Sequence, residues 1–138
     1  MRLLSIFILI AFFHLLFYKS GLYAMYEWLD MPMHFSGGAF LALAWIYFLR
    51  RVRIISMKKT LDVVHALALI GFVLLGGIAW EIFEYVSWRY LSDVVRYFAL
   101  YDPFVGDVLG DLTLDFLGGI VVLWGWRFVQ KRSQKKDD

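Results

Sequence analysis

Three short stretches of the sequence space ionisable side chains as chemistry on a helix requires. Asp30 and His34 are four positions apart, Glu81 and Glu84 three, and Asp107, Asp111 and Asp115 follow one another at intervals of four. Residues three or four apart on a helix share a face, and the Asp107–Asp111–Asp115 series drifts only about 80° around the axis. Each set therefore aims its polar groups in one direction. Carboxylates and imidazole are ligands for divalent ions such as Zn, Mn, Mg or Ca, and they serve as general acids and bases. His34, Glu84 and Asp111 are the candidates for catalysis. Asp30, His34, Glu81, Glu84, Asp107, Asp111 and Asp115 are the candidates for a metal site. Gathered beside a low-dielectric medium, six carboxylates would repel one another by several kcal/mol. Protonation, pairing with Lys19, Arg89 or Arg96, or a bound divalent cation would each relieve this.

The elements that must position these groups are apolar. Of 138 residues, 62% are hydrophobic, against 45–50% in a typical soluble domain. Four runs stand out, at about 3–18, 31–49, 61–85 and 112–129. Each is suited to crossing a hydrocarbon core about 30 Å thick, the first only with help from residues 19–29. The first run reads as a membrane helix rather than a signal peptide, since no Ala-x-Ala exit precedes Ala24. The expected fold is an all-α membrane protein, a single domain over 1–138 forming a four-transmembrane-helix bundle.

Charge sets the orientation. Arg2, the Arg50–Lys59 link and the segment from Arg127 to Lys136 carry the basic residues, which the positive-inside rule places in the cytoplasm. Both termini are then cytoplasmic, and the expected location is the bacterial cytoplasmic membrane. The opposite side holds nine acids against Lys19, Arg89 and Arg96. Acids contribute little to topology, so their concentration there calls for another cause.

A shift of 81 positions lays Asp30-x3-His34-Phe35-x-Gly37-Gly38 over Asp111-x3-Asp115-Phe116-x-Gly118-Gly119. Trp45 then overlies Trp126, and Arg50-Arg51 overlies Lys131-Arg132. The pattern predicts two pseudo-repeated helical hairpins. The glycine pairs Gly37-Gly38, Gly76-Gly77 and Gly118-Gly119 suit close helix packing in lipid, which would bring the polar ends of runs two and four together.

Other polar residues carry less. Glu27, Asp93 and Asp102 read as solvated headgroup-level acids. His14, alone among Phe and Leu, reads as a hydrogen bond between helices, and His65 lies far from the acids. The 88–106 linker, with Arg89 and Arg96 among aromatics, reads as an interfacial amphipathic segment. By contrast, Asp115, Glu81 and His34 lie inside apolar runs, where ionisable groups are costly and usually functional.

The order Asp30-x3-His34, then Glu81 or Glu84, then Asp111-x3-Asp115-x2-Gly118 resembles the VanZ-like and YjdF-like membrane proteins of bacteria. The resemblance spans roughly residues 30–120. It implies that these positions form one shared, outward-facing polar site, and it names no reaction.

The functional expectations follow. One is a metal-dependent site at the outer face acting on a lipid headgroup or lipid-linked phosphate, with membrane lipids as partners. Its alternative is a scaffold or binding protein whose polar cluster ties helices together. Ranked lower is a cation or proton pathway, because the inner halves of runs two and four are almost wholly apolar. With no cysteine, thiolate metal sites are excluded. No phosphate-binding loop or dinucleotide fingerprint is present. Topology accounts for the basic residues, so no nucleic-acid partner is expected.

Overall fold

The computed structural model describes residues 2–55, 62–90 and 105–134. Helix α1 (Arg2–Lys19) leads into a short α2 (Leu22–Met25) and a single 3-10 turn (Glu27–Leu29), then α3 (Asp30–Arg51), α4 (Val63–Tyr90) and α5 (Val105–Gln134). No strand occurs among the described residues. Residues 56–61, 91–104 and 135–138 lie outside them. With these fall Lys58, Lys59, Asp93, Arg96, Asp102, Lys135, Lys136 and most of the expected amphipathic linker.

Local chemistry explains the boundaries. Gly21 sits at φ 70, a left-handed turn that glycine adopts without a Cβ clash, and it separates α1 from α2. Pro32 lies in the first turn of α3, where a backbone N–H has no helical partner to lose. Asp62 caps α4: its Oδ1 accepts the backbone N–H of His65 at 2.9 Å and also bonds the His65 ring at 2.6 Å. His65 is thus occupied at the start of α4. Arg50 and Arg51 close α3, and Lys131 and Arg132 lie in the last turn of α5, complementing the negative helix ends.

Helix boundaries differ from the sequence reading at the end of α4 and at both ends of α5, which runs on to Gln134 rather than ending near 129. Helix α5 begins at Val105 rather than near 112, because Gly106, Asp107, Gly110 and Asp111 interrupt the apolar run but not the backbone. Helix α4 continues to Tyr90 rather than ending near 85. Three segments are long and apolar enough to cross a membrane: Glu27–Arg51, Val63–Tyr90 and Val105–Ser133. Helix α1, with 18 residues, reaches about 27 Å at 1.5 Å per residue, slightly less than a bilayer core.

Helices α3 and α5 form the closest pair, α4 packs against both, and α1 lies against α3. Ala42, Ile46 and Leu49 of α3, Ala66, Leu69 and Val73 of α4 and Leu123 of α5 make an apolar core. Trp45 stacks on Phe72 with ring centroids 4.8 Å apart. The outer surface is also apolar: Leu67 and Leu75 are each 67% exposed and Trp124 71%. Such a surface is costly in water and matched to lipid.

Glycine sets the closest approach. A Cβ on Gly38 would strike the Asp115 carbonyl, and one on Gly118 the Phe35 carbonyl. The α3 and α5 backbones therefore touch beside His34 and Asp115, as the glycine pairs predict. Further along, Arg50 lies over the Trp126 ring, 5.5 Å from its centroid. The two contacts make α3 and α5 parallel, while α4 runs against them, with Gly77 beside Asp115 and Val73 beside Gly119. One end of the bundle is basic and the other carries the acids.

Candidate metal centre

At the acidic end, α3 supplies Asp30 and His34, α4 supplies Glu81 and Glu84, and α5 supplies Asp111 and Asp115. All converge on the His34 imidazole, which is 5% exposed. Around its Nε2 stand Asp30 Oδ2 at 3.4 Å, Glu81 Oε1 at 3.8 Å and Asp111 Oδ2 at 3.8 Å. On the other side of the ring, Nδ1 donates to Asp115 Oδ2 at 3.4 Å. With the proton on Nδ1, the Nε2 lone pair faces three carboxylate oxygens, all acceptors.

These separations are informative. A charge-assisted hydrogen bond closes to about 2.7–2.9 Å, and none of the three oxygens comes that near. Nε2 of His34 and Oε1 of Glu81 are buried without a hydrogen-bond partner. A tetrahedral ion bonded at 2.0–2.2 Å holds its ligands about 3.3–3.6 Å apart, close to the observed spacing. The residues present therefore fit a divalent ion. Two overlapping triplets bring their ligand atoms within 4.8 Å of one another: Asp30–His34–Asp111 and His34–Glu81–Glu84. Among the described residues, no lysine or arginine lies within ion-pair distance of Asp30, Glu81, Glu84, Asp111 or Asp115. Arg89 instead lies over the Tyr90 ring, 5.6 Å from its centroid.

The surrounding shell orients these groups. The indole N–H of Trp80 donates to Glu84 Oε1 at 2.9 Å. The His14 ring meets Trp80 edge-on at 5.1 Å, and its Nδ1 bonds the Tyr23 hydroxyl at 2.9 Å. Trp80-x3-Glu84 has the spacing of a same-face pair and was detectable in the sequence. The Tyr23–His14 contact was not, because it depends on the turn at Gly21.

Six of the seven candidate ligands are thus gathered. The exception is Asp107, which is exposed; neither it nor Asp115 belongs to a triplet, but Asp115 meets His34 Nδ1. It lines a cleft of about 540 Å³ that also includes Glu27, Asp30 and Asp111. Asp30 and Asp111 connect this cleft to the His34 centre.

Residues 1–132 match a family described as a predicted membrane protein (DUF2238). The chain belongs to this family. No curated protein and no solved structure matches it. Membership, with the three long apolar helices, makes this a membrane protein. It does not single out the VanZ-like or YjdF-like group.

Proposed function

We propose that the protein is a membrane-embedded, divalent-metal-dependent catalyst whose site opens at the outer face and acts on a lipid headgroup or lipid-linked phosphate. One observation carries the reading: the buried Nε2 of His34 faces three carboxylate oxygens from three helices at 3.4–3.8 Å and has no hydrogen-bond partner. A purely structural cluster would be internally hydrogen-bonded, since a half-satisfied buried polar network is destabilising. That weighs against the scaffold alternative. The Ala42–Leu69–Leu123 core beneath the cluster weighs against a cation pathway.

In this reading Asp30, His34 and Asp111 hold the ion, and Glu81, which groups with His34 and Glu84, faces His34 from the neighbouring helix. Asp115 fixes the ring orientation and tautomer of His34, the carboxylate–histidine pairing common beside metals. His34 is therefore a ligand rather than a proton shuttle. Asp111 belongs to both the ligand set and the cleft wall, so it faces bound substrate. Glu84 has one oxygen held by Trp80 and steadies the neighbouring helix face. When bound, the ion would act as a Lewis acid toward a phosphoryl or carbonyl oxygen. Both termini then lie in the cytoplasm, with the cleft at headgroup depth.

Elemental analysis of the detergent-purified protein tests this. A stoichiometric divalent ion, lost in His34→Ala and Asp111→Asn, is expected. Metal-free protein whose melting temperature ignores added Zn, Mn and Mg would return the cluster to a scaffold role.

A further inference from the structure

We propose that the outer face of α5, at the basic end of the bundle, docks an anionic phospholipid from the adjoining leaflet. An acyl chain lies along Val121, Trp124 and Phe128, and the phosphodiester sits between Lys131 and Arg132. The inference is independent of the metal reading and concerns the opposite end of the molecule.

Val121, Trp124, Phe128 and Arg132 follow one another at helical spacings of three, four and four, so they form one stripe along α5. Val121, Trp124 and Phe128 are all exposed, and none belongs to the packed core. Lys131, one position before Arg132, flanks the same stripe on its other side. The face therefore changes within one turn from an apolar rail to a pair of cations. A phospholipid changes from acyl chain to phosphate over the same distance.

Orientation in the membrane requires only that cations occupy the links between helices. Here the placement is more particular. The Arg132 guanidinium lies over the Phe128 ring, 4.3 Å from its centroid. The charge is thus drawn back to the edge of the apolar rail, where phosphates lie, rather than extended into water. Among the described residues, no acid lies within ion-pair distance of Lys131 or Arg132. Asp62, the described carboxylate at this end, caps α4 and bonds His65. Arg50, Arg51 and Arg127 raise the local positive potential further. The negative end of α5 offsets only about half an elementary charge. Such a surface favours a headgroup whose sole charge is its phosphodiester. A zwitterionic headgroup would bring its ammonium into the same field, and a soluble phosphodiester would forgo the rail.

Native mass spectrometry of the full-length protein with short-chain phosphatidylglycerol and phosphatidylcholine tests the proposal. Preference for the glycerol lipid by roughly tenfold or more is expected from two cations. Lys131→Gln and Arg132→Gln, both at exposed positions, should each weaken its retention about fivefold and lower the ratio. Trp124→Ala should weaken both lipids and leave the ratio in place. Arg89→Gln, which removes the same charge from the other end of α4, should change neither. Equal retention of the two lipids, or a ratio untouched by Arg132→Gln, would overturn the proposal. So would an equal effect of Arg89→Gln, which would reduce the preference to net charge alone. Soluble glycerophosphoglycerol binding as tightly as the lipid would overturn the lipid assignment.

Discussion

At the residue scale, the site turns on which side of His34 does what. Asp115 meets Nδ1, while the remaining acids face Nε2. Removing the Asp115 charge should leave the ligands in place but loosen the ring and its tautomer. Asp115→Asn is therefore expected to weaken Zn or Mn affinity by about 10–100-fold, the usual cost of losing an outer-shell partner. His34→Ala should abolish binding, and competition titration with a chromogenic chelator distinguishes the two. Trp80 makes the complementary case. Its N–H is the hydrogen bond given to Glu84 Oε1, so Trp80→Phe leaves a buried carboxylate oxygen short of a donor, at a cost of about 1–3 kcal/mol. Lower thermal stability with unchanged metal stoichiometry is the expected outcome. Loss of metal in that variant would place the ion between Glu81 and Glu84 instead.

At the scale of the elements, the centre exists because α3 and α5 can touch. The Cβ positions at Gly38 and Gly118 fall on the opposing backbone, and backbone cannot move aside as a side-chain tip can. Gly118→Val should push the helices apart, costing at least the 1–3 kcal/mol typical of overpacking and separating His34 from Asp115. Gly125, with nothing within 4 Å of its Cβ, is the control: Gly125→Ala should keep metal content and hold or slightly raise the melting temperature, since alanine is favoured over glycine in a helix interior by about 0.5–1 kcal/mol. Much of this was legible in the sequence. Apolar runs marked the helices, glycine pairs marked the close contact, and the i, i+3 and i, i+4 spacings marked the six side chains that gather at the acidic end. The start of α5 was not legible, because Gly106, Asp107 and Gly110 look like a break in an apolar pattern although the backbone stays helical. Asp107, offered as a ligand by the same spacing, lies exposed on the cleft wall. Helical spacing says which residues share a face, but the depth of the α3–α5 crossing decides which of them reach His34. The role of Tyr23 depends on its contact with His14 across the turn between α1 and α2, which no single-helix periodicity encodes.

At the scale of the whole molecule, charge is unevenly distributed. Arg50, Arg51, Lys131 and Arg132 crowd one end of the bundle, and the cleft with its acids occupies the other. If basic residues stay in the cytoplasm, the cleft faces outward and meets only outer-leaflet headgroups. The absence of cysteine from the sequence makes this directly measurable, because any introduced thiol is the sole target for a maleimide. Ser20, exposed just beyond α1, lies toward the acidic end, and Ser133 lies in the last turn of α5 at the basic end. In intact cells a membrane-impermeant maleimide should label Ser20→Cys, while Ser133→Cys should react only after permeabilisation. Both substitutions are isosteric and lie away from the His34 centre, so folding is not at stake, and retained metal content verifies this for each variant. The reverse labelling pattern would turn the cleft toward the cytoplasm. The proposed metal centre and headgroup chemistry would survive that result, but the substrate would then come from the inner leaflet.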